Sequence, residues 1–73
     1  MKAVIKIKGI QQFSCNINDK LSTMTSFRIS KNCASASLLN ELFNLGCDFM
    51  ERFDGDVNVH IKNERIESIT FVD

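Results

Sequence analysis

The sequence predicts an α+β fold in which a small antiparallel sheet carries one amphipathic helix packed on one face. Five short segments alternate apolar with polar residues, which is the period of a strand with one buried face. Between the third and the fourth of them, apolar residues recur at steps of three and four, which is the period of a helix. A chain of 73 residues supports one core. We therefore expect a single domain over residues 1–73 with the element order β-β-β-α-β-β.

Three strands are predicted in the N-terminal half of the chain. Apolar residues alternate with lysines over residues 3–8, and the alternation resumes after Gly9 over residues 13–17, so these segments should pair as a hairpin. Residues 18–20, Asn-Asp-Lys, favour a turn. The Ser- and Thr-rich residues 21–30 then predict a third strand. The side chains expected in the core from these strands include Ile5, Ile7, Cys15, Phe27 and Ile29.

An amphipathic helix of about five turns is predicted for residues 38–53. Asn32 or Ser35 could cap its start, and Asp54-Gly55-Asp56 is expected to end it, with the glycine near the left-handed closing position. Gly46 falls on the apolar side, where it would let the helix approach the sheet closely. The apolar stripe comprises Leu38, Leu39, Leu42, Leu45, Gly46, Phe49, Met50 and Phe53.

Two further strands are predicted after Gly55. Residues 57–62 alternate, with the valines and Ile61 on one side, and Asn63-Glu64 offers a two-residue turn into a fifth strand over residues 65–72. The fifth pattern is imperfect because its apolar residues fall on both faces. A bulge near Ser68, or burial on both faces, would account for it.

Charge is balanced over the whole chain and uneven along it. Nine Lys and Arg offset nine Asp and Glu, which excludes a uniformly basic polyanion binder and an acidic disordered tail. Residues 1–33 carry six basic residues and one acidic residue, a net charge of +5, and residues 34–73 carry three basic and eight acidic, a net charge of −5. Strands from both halves could interleave and pair these charges. Alternatively, a basic sheet face opposes an acidic helix face formed by Glu41, Asp48 and Glu51.

Residues that commonly carry chemistry are few and scattered. Cys15, Cys33 and Cys47 are widely spaced and odd in number, which favours reduced thiols over a disulfide framework. With His60 they would be spread over every element, unlike a structural zinc site, and residues 54–65 lack the glycine and glutamate of a calcium loop. No glycine-rich phosphate loop occurs. We expect no cofactor, no metal and no enzymatic activity, although Cys33, ahead of the helix, is the thiol to test for reactivity.

The predicted binding surface is the polar side of strands one and three. Basic and apolar residues mix there, which suits a protein partner or a homodimer. The acidic helix residues Glu41, Asp48 and Glu51 are the alternative binding surface. Nucleic acid is the alternative partner, ranked second because Phe13, Phe27, Phe43, Phe49 and Phe53 are all expected to face the core. The predicted partner-binding residues are Val4, Lys6, Lys8, Met24 and Arg28.

No apolar run approaches the ~18 residues that cross a bilayer, and lysines interrupt the N-terminal segment, so we expect a cytoplasmic protein without a signal peptide. In size, in its abundance of Asn and Ile, in its lack of proline and in having no active-site cluster, the chain resembles the small proteins that phages encode to inhibit host machinery, anti-CRISPR proteins among them. The resemblance implies a viral inhibitor that evades host defence by occupying a surface. It implies no role for any particular residue.

Overall fold

The computed structural model describes residues 1–46 and 49–72. Within them it confirms the predicted α+β class: one α-helix lies against a single antiparallel sheet, which has one strand more than the five expected. No helix in these ranges is both long enough and apolar enough to cross a membrane. The elements are β1 (Lys2–Ile7), β2 (Phe13–Lys20), β3 (Met24–Ile29), α1 (Ala36–Leu45), β4 (Phe49–Phe53), β5 (Asp56–Lys62), a 3₁₀ turn (Asn63–Arg65) and β6 (Ile66–Phe71).

The sheet has the strand order β4-β5-β3-β2-β1-β6, and it curls strongly. β5 and β6 are consecutive in the chain, yet three strands lie between them. In a flat sheet they would be about 19 Å apart, at ~4.8 Å per strand. The four residue steps from Lys62 to Ile66 span at most about 14 Å. The sheet therefore closes partly on itself. The backbone N–H of Lys8 donates to the carbonyl of Arg65 at 3.0 Å, which extends the pairing of β1 with β6 by one residue.

The core lies between the inner face of the sheet and α1. The predicted inward residues of β1 and β3 are confirmed, because Ile5, Ile7, Phe27 and Ile29 are all fully buried. The helix contributes two buried leucines. The core cluster comprises Ile5, Ile7, Ile10, Cys15, Phe27, Ile29, Leu38, Leu42, Val57, Val59 and Ile61.

The helix is shorter than the sequence pattern predicts. Its start is confirmed at the second cap candidate, since the Ser35 hydroxyl accepts a hydrogen bond from the Leu38 N–H at 3.1 Å. Its end is not at residue 53. Gly46 adopts a left-handed conformation with φ +79°, and its N–H bonds back to the Leu42 and Phe43 carbonyls, which closes the helix. Gly46 is thus a cap rather than a point of close approach to the sheet.

The segment predicted as the last turns of the helix forms β4 instead, which adds a strand to the predicted order. Asp54 and Gly55 connect β4 to β5 with φ +51° and +85°, as a two-residue turn with both central residues at positive φ. Asp-Gly is a preferred pair for this tight hairpin turn, whose twist matches that of the strands. Apolar residues at 49, 50 and 53 suit either element, and pairing with β5 decides in favour of the strand.

Two predicted turns also differ from the structure. Residues 18–20 belong to β2, which bulges between Ile17 and Asp19, and the chain reverses after Lys20. Asn63-Glu64 begins the 3₁₀ turn and does not pair β5 with β6. The bulge expected near Ser68 is confirmed, because the register of β6 against β1 shifts there, Lys6 pairing with Ser68 and Ile7 with Ile66.

Candidate functional site

The candidate site is the outward face, defined as the side of the sheet opposite the core. One cross-strand row runs over five strands of it. Because residues that pair across antiparallel strands point to the same face, these side chains stand beside one another. The sequence of the row alternates charged residues with amides. In sheet order from β1 to β4 its members, called the outward row below, are Lys2, Asn16, Arg28, Asn58 and Glu51.

Arg28 is the centre of the outward row. Its Nε donates a hydrogen bond to the Asn58 side-chain oxygen at 3.0 Å, while the residue as a whole is exposed. This bond directs the guanidinium toward β5 and reduces the side-chain entropy that a partner would have to remove. The charge at the middle of the face is thus held in place by a neighbour on the next strand.

A second polar contact lies one row away, between Ser26 and His60. The Ser26 Oγ and His60 Nδ1 atoms are 2.6 Å apart, both residues being half-buried. A serine beside a histidine is the pair of a nucleophile and its base, which needs an acid in contact with the imidazole. The register places Asp19 opposite Ser26 rather than opposite His60. Asp19 and His60 thus lie on opposite sides of Ser26 in the same cross-strand row.

The two described cysteines differ in environment. Cys15 is buried, and burial raises the pKa of its thiol from the usual 9.0 to about 12. A thiol of that kind stays protonated and is a poor nucleophile. Cys33 is exposed in the segment between β3 and α1, two residues before the Ser35 cap. Within the described ranges, no three or more His, Cys, Asp or Glu side chains are grouped so that they could hold a metal ion.

The predicted binding residues of strand one separate from each other. Val4 is half-buried on the outward face, between Ser14 on β2 and Thr70 on β6. Lys8 is exposed in the turn after β1 rather than on the strand. The ammonium of Lys6 donates to the carbonyl oxygens of Ile7, at 3.1 Å, and of Ile10, and lies 3.8 Å from a Glu67 carboxylate oxygen. The ammonium group of Lys6 therefore stabilises the turn after β1 and lies near a carboxylate of β6.

The predicted residues of strand three lie at different levels of the sheet. Arg28 is in the outward row, whereas Met24 pairs with Lys62 at the other end of β3. β2 separates β1 from β3, so the predicted set of five does not form one cluster. Lys2 is the basic residue that lies in the same cross-strand row as Arg28, and it is not among the binding residues predicted from the sequence. Its position in the same lysine alternation was a signal, but choosing it required the register through Asn16.

The alternative acidic surface is also divided. Glu41 is half-buried on α1, whereas Glu51 lies on β4 beside Asn58, in the outward row. Asp48 lies outside the described residues. The predicted acidic helix face was wrong for Glu51, because the helix ends at Leu45 and residue 51 belongs to a strand. Basic and acidic side chains therefore share the outward face.

Phenylalanine burial also departs from the prediction. Phe27 is fully buried, and Phe13 packs against it with ring centroids 5.6 Å apart. Phe43 and Phe53 were predicted to face the core, but they are 71% and 59% exposed. Phe43 lies on the flank of α1, and Phe53 lies beside the tight turn at the end of β4. The side chain of Phe49 lies outside what the structure describes.

Comparison of the chain with protein-family models, with curated proteins and with solved structures found no match.

Proposed function

We propose that the protein is a non-catalytic binding module that attaches to another protein through the outward face of its sheet. The observation that carries this proposal is the outward row, which presents two cations, two amides and one carboxylate in a fixed order across five strands. Amide groups both donate and accept hydrogen bonds. A row of this composition recognises a polar protein surface with acidic groups opposite Lys2 and Arg28 and a basic group opposite Glu51.

The size of the molecule supports a function by occlusion. Its two longer dimensions are 28 and 27 Å. A standard protein interface takes about 800 Å² per partner, a patch roughly 28 Å on a side. The molecule seen along its shortest axis is thus about as large as one interface, and a partner that binds it loses access to a comparable area of its own surface.

The proposal extends to the class and location of the protein. We propose a small inhibitor of the kind that phages direct against host defence, acting in the cytoplasm, where Cys15 and Cys33 would stay reduced. The resemblance in composition supports this class. An inhibitor that covers a surface needs affinity and a rigid face but no reacting groups.

Single-stranded nucleic acid is the second candidate. Lys2 and Arg28 stand in one row with only Asn16 between them, a spacing that suits phosphate contacts. The same row ends at the carboxylate of Glu51, and exposed Phe53 is followed directly by Asp54. Acidic groups beside the exposed ring repel a phosphate backbone. A protein surface is therefore the preferred partner.

Affinity capture from the source cells with wild-type protein and two charge reversals tests the proposal. Arg28→Glu changes the centre of the outward row, and Glu41→Lys makes a reversal of equal size on α1, the alternative surface, as a control. Glu41 is half-buried, so circular dichroism verifies that this variant keeps the fold. We expect a protein identified by mass spectrometry to bind wild type and the control, and to bind Arg28→Glu at least ~10-fold more weakly. Arg28 is exposed, so its reversal should leave the fold intact.

Two outcomes would overturn the proposal. Equal capture by wild type and Arg28→Glu, with loss on Glu41→Lys, would move the binding surface to the helix. Capture of single-stranded nucleic acid with a steep salt dependence that Arg28→Glu removes would put the second candidate first.

A further inference from the structure

The strand β6 forms one open edge of the sheet. The Val72 N–H donates to the Lys2 carbonyl at 2.9 Å, and Thr70 pairs with Val4. In an antiparallel ladder the residues that bond a neighbouring strand alternate with residues whose N–H and C=O groups point away from it. Ile69 and Phe71 therefore direct their backbone groups to the open edge, where the order of the sheet ends.

The C-terminal part of this edge, residues 68–72, lacks the features that keep sheet edges apart, whereas the bulge and the exposed Glu67 lie at the start of the strand. Residues 68–72 read Ser-Ile-Thr-Phe-Val, without a charge or a proline. Soluble proteins usually place lysines, prolines or bulges on exposed edges to prevent pairing. Here the bulge lies before the segment, and Phe71 and Val72 are 50% and 42% exposed. The segment is suited to pairing with another strand.

The other edge, β4, is protected against self-pairing. Glu51 and Arg52 are exposed in the middle of that strand. Antiparallel pairing of β4 with a second copy about its central residue would place Glu51 opposite its own copy, which like charges oppose. The two edges thus differ in the property that decides whether identical strands associate.

We propose that two copies of the chain associate through β6, antiparallel about a two-fold axis at Thr70. This register pairs Ile69 with Phe71 of the second copy and Ser68 with Val72, so that the free backbone groups of Ile69 and Phe71 form four intermolecular hydrogen bonds. Threonine then faces threonine at the axis, a favourable cross-strand pair. Within 68–72 no charged residue meets its own copy, and the proposed pairing ends before the acidic residues Glu67 and Asp73, which the same register would bring to one level.

The side chains fit the same register. Ile69 and Phe71 pair with the core-facing residues Ile5 and Ala3, so they lie on the core side of β6. A crevice of about 260 Å³ adjoins Ile69 there, and its other lining residues are Lys20, Asn63 and Ile66. Phe71 of the second copy lies next to Ile69, at the crevice. A half-exposed aromatic ring placed against a partly apolar recess is a common anchor of protein interfaces.

The two-strand contact is small, so the dimer belongs to the weak class of interfaces, with a dissociation constant of roughly micromolar or above. It leaves the outward rows of both copies uncovered, because they run over β1 to β4 and not over β6. The inference is therefore independent of the function proposed above.

Sedimentation equilibrium over micromolar to millimolar protein tests it with one variant and a matched control. Thr70→Lys places two ammonium groups together at the axis, where Cα atoms in such pairs are about 4.5 Å apart, and should weaken the dimer at least ~10-fold. Ser14→Lys adds the same charge at an exposed position that flanks Val4 on its other side, away from the edge. It should leave the dimer unchanged.

A charge-rescue mixture tests the register itself. Thr70→Glu alone should be as monomeric as Thr70→Lys, and an equimolar mixture of the two variants should recover the mass of a dimer, because opposite charges then meet at the axis. Thr70 is exposed, and circular dichroism verifies that both variants keep the fold. A wild-type protein that stays monomeric throughout, an equal effect of Ser14→Lys, or a mixture that stays monomeric would each overturn the inference.

Discussion

Leu42 and Phe43 are neighbours on α1 that the structure places in opposite environments. Leu42 is fully buried in the core cluster, whereas Phe43 is 71% exposed. Truncating each to alanine therefore tests the placement of the helix on the sheet. By residue size alone, the loss of the phenyl ring would cost more. The structure predicts the reverse order.

The magnitude follows from burial. Leu42→Ala removes three buried carbon atoms, worth about 2.4 kcal/mol at ~0.8 kcal/mol each, and the cavity left behind raises the expected loss to about 3 kcal/mol. Phe43→Ala loses less than a third of the burial of one ring, and alanine's better helix propensity returns up to ~0.5 kcal/mol. We expect Phe43→Ala to change the free energy of unfolding by less than about 1 kcal/mol.

Urea denaturation followed by circular dichroism measures both values. A domain of this size has a total stability of roughly 4–10 kcal/mol, so Leu42→Ala should lower the urea midpoint by about 2 M, for a slope near 1.5 kcal/mol/M. Equal destabilisation by the two substitutions, or a larger effect of Phe43→Ala, would show that α1 faces the sheet with a different side.

Three further predictions concern the turn, the polar core and alkaline pH. Gly55→Ala should lower the free energy of unfolding, measured by urea denaturation, by more than Gly46→Ala. Both glycines have positive φ, at which alanine costs ~1–2 kcal/mol. Only at Gly55 would the new Cβ also lie 3.1 Å from the Lys31 Cβ. Asn63→Ala should cost about 1–3 kcal/mol, because the buried Thr25 hydroxyl donates to the Asn63 side-chain oxygen at 2.6 Å, and a double-mutant cycle with Thr25→Val should show coupling. Burial raises the pKa of Cys15 to about 12, so above pH 9 the native state keeps a proton that the unfolded state releases. The free energy of unfolding should therefore fall as pH rises from 9 toward 12, and it should fall less in Cys15→Ala.

The parts of the fold that were predictable depend on strong local periodicity. Alternation over residues 3–8 identified both the strand and its buried residues Ile5 and Ile7, because a one-residue shift would move every apolar side chain to solvent. The Ser35 cap was likewise among the predicted starts of the helix. These signals act within a few residues and need no tertiary information.

β4 was not predictable by periodicity, because apolar residues at 49, 50 and 53 fit a helix as well as a short strand. The local signals were present: Gly46 ends the helix, and Asp54-Gly55 forms a hairpin turn. The long helix predicted from periodicity places Gly46 on its apolar side and Asp54-Gly55 at its end. Pairing with β5, a tertiary contact, decides between the two readings.

The candidate site was only partly predictable for a similar reason. Alternation assigns Arg28 to the outward face, but which lysine stands level with it depends on the register of β1 against β2 and of β2 against β3. That register selects Lys2. The role of Lys6 depends on the path of the turn after β1, which brings the Ile7 and Ile10 carbonyls to its ammonium group, and no sequence pattern indicates this.

The central claim, that the outward row binds a protein surface, is tested most directly by nuclear magnetic resonance with the captured partner. Titrating isotope-labelled protein should shift the backbone amides of Asn16, Arg28 and Asn58 most, and those of residues 36–45 on α1 least. The shifts should be absent in Arg28→Glu. Largest shifts on α1, or the same pattern produced by single-stranded nucleic acid in place of the partner, would contradict the claim.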